Sequence, residues 1–284
     1  MLSTTAPLVP ELQDPATNLD ALMRARASTD GTPTTVWWTG DAYAQEPGSR
    51  AQHLFGFVGF NIARAIKVDG GWDLLTREAA FYLDPRTREI IDTWSNPWTS
   101  QEVDILHVWN DPVNQEFRVD NPWGPWHAPY TDLGRTIAFN LDIPIAAPSV
   151  LPVQDWADNS AHDTYVAMEL FHFFAERGAV LDNAATSAEC DVSWTRMSQW
   201  LPWMGMGQRP GNMVFHCRGA KLQGWEELPS AVRERVLDQH PEYSKAPTSS
   251  TGPNETSWTY FKKMRGSSAS DEATAPSPSG SPRT

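Results

Sequence analysis

The chain has 284 residues, 40% hydrophobic and 20% charged, enough for one large or two small domains with an ample core. A formal net charge of −13 argues against DNA and RNA as partners, because phosphate binding needs a basic surface. No apolar run approaches a membrane span, and the opening MLSTTAPLVPEL lacks a basic stretch before an apolar core, so a cytoplasmic protein without membrane association is expected.

Residues 1–13 carry no helical or strand pattern and read as a flexible N-terminus. Asp14-Pro15 is an N-cap followed by proline at the first helical position, and Leu19, Leu22, Met23 and Arg26 recur at helical spacing. That predicts a short amphipathic helix ending before Asp30-Gly31. Thr35 to Tyr43 is a first strand, with Trp37 and Trp38 on opposite faces. Leu54 to Lys67 is a long strand in which Gly56 and Gly59 mark bulges or close approaches. Arg64 sits there among apolar neighbours, and Trp72 to Leu83, the next strand, carries Glu78 beside two alanines. The two charges are natural partners for an internal ion pair, although an acid in such surroundings also suits proton transfer.

Tyr82 to Glu116 reads as three strands and two turns, the organising stretch of the chain. Asp84-Pro85, Asn96-Pro97 and Asn110-Asp111-Pro112 break it, and Val103 to Trp109 alternates with period two as one strand. Pro122 to Pro129 reads as a rim loop. Ile137 to Ile145 is a half-buried strand whose end Pro144 and Pro148 push to an edge. Asp163 to Arg177 fits a strand or an apolar helix, and its aromatic content favours the strand. Cys190, Val192, Trp194 and Trp200 share a face with Arg196 between them. Trp203 to Gly211 is a turn rich in glycine and thioether, and Met213, Phe215 and Cys217 alternate with Val214 and His216. Pro229 to Gln239 predicts a surface helix, Ser257 to Met264 a last strand, and 265–284 a disordered tail. Residues 14–264 form a single domain, since no linker divides them.

Fourteen tryptophans, five of them between Trp94 and Trp126, either fill a β core or wall a flat apolar site. Cys190 and Cys217 lack CxxC or metal spacing and read as free, buried thiols. GxSxG, Walker, dinucleotide-binding and HExxH signatures are missing, and MGMGQRPG is no phosphate cradle. His127, His162 and His172 have no repeating metal spacing, so neither a metal nor a cofactor is expected.

What remains is a set of polar groups inside apolar strands, each of which is equally at home as a satisfied core group. His107, Glu78 and Arg64 are the catalytic candidates. His107 leads because its face is otherwise Val103, Ile105 and Trp109, and a buried histidine near a carboxylate titrates near neutrality. Asn110 and Asp111 either orient it or make an Asx turn. The candidate substrate wall is Trp94, Trp109, Asn110, Phe139, His172, Trp194, Arg196, Met206 and His216.

The motifs LFGFVGFNIAR, REAAFYLDP, DTWSNPW, HVWNDPVN, WLPWMGMGQRPG and SWTYFKKM together resemble a fungal and bacterial family known mainly as a domain of unknown function. Its fungal members look similar to enzymes of tropolonic sesquiterpenoid assembly that direct a hetero-Diels–Alder cyclisation. The resemblance implies a cofactor-independent cyclase of secondary metabolism acting on an apolar, conjugated substrate. It names no catalytic residue. An isomerase or dehydratase in the same pocket, or a carrier of a hydrophobic small molecule, fits the same residues. The expected architecture is a mostly β, antiparallel calycin/lipocalin-like β-barrel with an N-terminal helix and one later surface helix. The oligomeric state is left open, a homodimer included.

Overall fold

The N-terminal helix forms where its cap and spacing require. In the computed structural model, which describes residues 9–121 and 124–273, α1 spans Pro15–Arg26, and the Asp14 carboxylate accepts the Thr17 N–H at 2.8 Å. Leu19, Leu22 and Met23 are buried on it. The short 3-10 turn before it, Pro10–Gln13, buries Leu12, so 9–13 is packed rather than free. Residues 1–8 lie outside the described part.

Three long strands follow: β1 (Thr34–Gln45), β2 (Gln52–Val68) and β3 (Gly71–Leu83). Gly56 and Gly59 are close-approach glycines in β2. A Cβ on Gly59 would lie 2.8 Å from the Trp38 ring, and one on Gly56 2.5 Å from the Arg88 guanidinium. Short strands come next: β4 (Thr93–Ser95), β5 (Glu102–Asp104), β6 (Val108–Asn110), β7 (Gln115–Arg118), β8 (Asp120–Asn121), β9 (Gly124–Pro125) and β10 (Tyr130–Asp132). The single strand expected over Val103 to Trp109 is therefore two, and they belong to different sheets. β5 pairs with β4, whereas β6 pairs with β3, so the chain changes partner at Ile105 to His107.

The second half is β11 (Thr136–Pro148), β12 (Thr164–Glu176), α2 (Arg177–Leu181), β13 (Cys190–Ser198), β14 (Asn212–Leu222), α3 (Ser230–Gln239) and α4 (Ser257–Ala273). The strand reading of Asp163 to Arg177 is correct, as is the helix after Pro229. The last strand expected at Ser257 to Met264 is instead the start of α4. Thr256 and Thr259 cap it, Thr256 Oγ1 accepting the Thr259 N–H at 3.2 Å and Thr259 Oγ1 the Thr256 N–H at 2.8 Å. Helix α4 also carries 265–273, expected as disordered tail; 274–284 lie outside the described residues.

The main sheet has ten strands in the order β10-β11-β12-β13-β14-β1-β2-β3-β6, with β7 also paired to β3. Every pairing is antiparallel. The fold is thus mostly β, but the expected barrel is not closed: among the described residues no pairing joins the β6/β7 end to the β10/β11 end. Two features explain the opening. The terminal strands β6 and β10 are three residues long, and β11 is paired to β10 only over Ile137, Ala138 and Phe139. Beyond that, Pro144 and Pro148 have no N–H to offer a further strand.

Alternation assigns the faces. Leu74, Ala80 and Tyr82 of β3 turn into the main core, while Ala79, Phe81 and Leu83 turn outward to a second core under α3. Among the described residues no helix is long and apolar enough to cross a membrane. Cys190 and Cys217 are free and buried.

Candidate functional site

Glu78 lies in a row of three polar residues across adjacent strands: β2 places Asn61, and β6 places Asn110, directly beside it. All three share the inner face of the sheet, because they occupy paired positions. Asn110 Nδ2 donates to Glu78 Oε1 at 3.4 Å, and Arg26 of α1 donates to Asn61 Oδ1 at 2.7 Å. A second row stands on β12 and β13, where Glu169 pairs with Arg196. Arg196 Nη1 donates to Glu169 at 2.5 Å, and Arg196 Nη2 donates to the Tyr165 hydroxyl.

Both rows border one cavity of about 1170 Å³, lined by Glu78, Asn110, Tyr165, Glu169 and Arg196 together with Phe117, Trp126, Leu141, Ile145 and Trp258. Its walls come from β7 at one end of the strand order and β11 at the other. The sheet therefore bends until its ends face each other, and the unclosed seam is the cavity. Residues 254–259, leading into α4, complete the wall. They are tied to the β6–β7 connection by Glu255 N–H to Pro112 O at 2.8 Å and by Asn114 N–H to Asn254 Oδ1 at 2.7 Å.

The charges fix what the site can do. Glu78 is deep in the fold yet half-buried, since its carboxyl borders the cavity. Burial, and next the Glu169 carboxylate, push it up from 4.5 to about 7, against the pull of Arg196. Among the described residues its hydrogen-bond partner is Asn110 alone. Arg196 is spoken for by Glu169 and Tyr165; burial lowers its pKa, but Tyr165, Glu169 and Glu78 outweigh that and hold it firmly cationic. Burial raises Tyr165, so it keeps its proton and has it free to donate. Burial lowers Arg26 to about 10, still cationic at neutral pH. Asp120 and Asp142 add negative charge to the walls, as do Glu116 and Glu255, which lie 3.6 Å from Arg118 and Lys263, Arg118 being paired with Asp73 as well.

A family profile described as "Protein of unknown function (DUF1838)" matches residues 31–265, most of the chain. The chain belongs to that family. No curated protein matches it. Within the family stretch lie Glu78, Asn110, Tyr165, Glu169, Arg196 and Trp258; Arg26, on α1, precedes it.

Of the residues expected from sequence, the structure brings Glu78, Asn110 and Arg196 together at this cavity. Arg64 is not Glu78's partner. Glu78 stands opposite Asn61, three residues from Arg64, an odd offset that puts the two charges on opposite faces. Arg64 Nη1 donates instead to Gly31 O at 2.6 Å. His107 lies outside the cavity wall. Its Nδ1 accepts the Tyr82 N–H at 3.3 Å and its Nε2 meets Asp92 at 3.2 Å, a cap on the β3 edge where β6 begins. Burial brings His107 down to about 4 despite Asp92, so it is neutral at pH 7.

Trp94 and Trp194 are packing residues, Trp94 against Phe55 at 5.3 Å and Trp194 against Trp38 at 5.9 Å. Trp109 lies on the outer face against His240 and Tyr243. Phe139 is fully buried beside Tyr130. His172 stacks on Phe174, and His216 is exposed and bonded to Thr195 at 3.0 Å. Met206 lines a second cavity of about 1020 Å³, whose titratable His162 and Arg209 are both exposed. Among the described residues no cluster of three His, Cys, Asp or Glu is placed to hold a metal.

The sequence reading missed Tyr165, Glu169 and Trp258. Tyr165 and Glu169 had a signal, being on the inward face once Asp163 to Arg177 is read with period two. Pairing Glu169 with Arg196 required the β12–β13 register, which sequence does not give.

Proposed function

We propose that the protein is an enzyme in which the Glu78 carboxyl gives and takes a proton on an uncharged, apolar, conjugated substrate. Arg196 and Tyr165 hold the substrate oxygen on which negative charge develops. The observation that carries this reading is a cavity-facing carboxyl with no cation of its own, opposite an arginine already committed to Glu169 and a tyrosine. A group titrating near neutrality populates both acid and base forms at working pH, the condition for general acid–base catalysis.

A hydroxymethyl-bearing enol is the substrate type that uses all three groups. Protonated Glu78 gives its proton to the leaving hydroxyl, the C–O bond breaks and water departs. The enol proton returns to Glu78, directly or through the departing water. The net change is loss of one water and formation of a conjugated carbonyl.

The family resemblance supports a finer form, in which this product is the heterodiene of a hetero-Diels–Alder cyclisation forming one C–C and one C–O bond with an alkene. No nucleophile is needed for that step. Holding two reactants in a reactive pose is worth up to about 7–11 kcal/mol, and a hydrogen bond to the carbonyl polarises it.

The test is to incubate the protein with a hydroxymethyl tropolone precursor and a medium-ring terpene alcohol and to follow adducts by mass spectrometry. Adduct formation that drops about 10²–10⁴-fold in Glu78→Gln, with binding retained, supports the reading. Equal rates in both proteins contradict it. Binding without turnover in either would make the protein a carrier.

A further inference from the structure

Trp258 and Ile145 each line both cavities, the one of about 1170 Å³ that holds Glu78 and the neighbouring one of about 1020 Å³. A residue with surface in two cavities is part of the wall between them. Trp258 is 3% exposed, and its ring lies 4.4 Å from that of Tyr165, the residue that binds Arg196. Ile145 belongs to the stretch of β11 past Phe139, where β10 no longer pairs and the prolines stand.

The second cavity differs in chemistry. Trp200 and Met206, both buried in the main core, line it on the inner side, while Val166, Met168 and Met197, one residue out of step with Tyr165, Glu169 and Arg196, line it from the outer face of the sheet. Met168 and Met197 face each other across β12 and β13. Unbranched thioether side chains adapt to flexible apolar ligands of varied shape.

We propose that Trp258 is a specificity-determining residue: together with Ile145 it is the end wall that limits how long an apolar ligand the Glu78 cavity accepts, and without it the ligand runs on into the space lined by Trp200 and Met206. The ligand is an elongated, uncharged molecule with a polar oxygen at one end, placed at Glu78, Arg196 and Tyr165. Negative charge at that end is disfavoured, because Arg196 is already paired with Glu169 and Asp142 lines the same cavity. This rests on the cavity being the ligand site proposed above.

The experiment uses full-length protein, an uncharged fluorophore (N-phenyl-1-naphthylamine) and its displacement by straight-chain primary alcohols of increasing length. In the wild type, affinity rises about fourfold per methylene to a limiting length and then stops rising. In Trp258→Ala the rise continues past that limit, each further methylene again adding about fourfold. Ile145→Ala, which thins the same wall from β11, moves the limit by less and serves independently if Trp258→Ala fails to fold. Trp258→Phe keeps most of the wall and stays near the wild-type limit. The same limit in wild type, Trp258→Ala and Ile145→Ala, with folding confirmed by circular dichroism, overturns the proposal, as does a wild type with no limit. Carboxylic acids binding tighter than alcohols of equal length overturn the ligand class. Glu78→Gln separates the two readings. It removes turnover without moving the limit if both hold, and unchanged turnover in Glu78→Gln, with the limit still shifted in Trp258→Ala, leaves the wall standing while the catalytic reading fails.

Discussion

Two stretches of one inner face end up in opposite states. Around Tyr82, the rings of Phe55, Phe57, Trp203 and Phe215 pack against it or each other with centroids 5.0–5.8 Å apart, and the interior is solid. Four residues back along the same strand, Glu78 faces a cavity of about 1170 Å³. The difference lies in the neighbours. Tyr82 sits where rings from fully paired strands converge, and aromatic surfaces fill whatever space pairing leaves. Glu78 sits opposite the unclosed seam between β7 and β11, where prolines and short strands end the ladder and the polar Glu78, Asn110, Glu169 and Arg196 stand among the apolar Phe117, Leu141 and Ile145.

The contrast is open to direct attack. Glu78→Gln has the largest expected effect, a loss of about 10²–10⁴ in turnover with probe affinity unchanged, read by steady-state kinetics and fluorescence. Phe55→Ala, in the solid stretch, is expected to cost about 3–5 kcal/mol by urea unfolding while the affinity of an uncharged cavity probe stays the same. Arg196→Met leaves the Glu169 carboxylate uncompensated. Because both side chains keep some exposure, 19% and 16%, the expected loss is about 3 kcal/mol, largely restored in Arg196→Met with Glu169→Met.

The pH dependence has a definite sign. Folded Glu78 holds its proton to about 7, whereas an unfolded glutamate releases it near 4.5, so the native state binds the extra proton between those values. Its contribution is full below 4.5 and is lost as pH rises to about 7, a difference of at most about 3 kcal/mol. His107, neutral when folded and protonated when unfolded between about 4 and 6.5, acts in the opposite sense, losing stability as pH falls. The His107 effect is common to wild type and Glu78→Gln and cancels in their difference, which urea titrations at several pH values measure. Arg64→Ala is the smallest effect, about 1 kcal/mol or less from one hydrogen bond to Gly31, with turnover unchanged because Arg64 faces away from Glu78.

The sequence carried the parts of this that depend on local alternation. On sequence alone, Glu78 is one of three catalytic candidates because it precedes two alanines on a strand, although an ion pair with Arg64 is an equally ready reading. The inward set Tyr165 to Phe173 follows once period two is chosen over 3.6. It misled where neighbours decide. Val103 to Trp109 alternates cleanly, yet its two ends answer to different sheets, and this turned His107 into an edge cap. SWTYFKKM alternates rings and polar residues like a strand, but the threonines at 256 and 259 cap a helix. Closure of the sheet depends on whether strands far apart in sequence meet, and no single-strand pattern encodes that.

The measurement that bears most directly on the account is the ionisation of Glu78 itself. Infrared difference spectra of wild type minus Glu78→Gln, on protein carrying labelled glutamate, isolate the carbonyl stretch of its protonated carboxyl across pH 4–9. The account predicts a midpoint near 7, displaced when an uncharged ligand fills the cavity. A midpoint at or below the ordinary 4.5 of a solvated glutamate contradicts it.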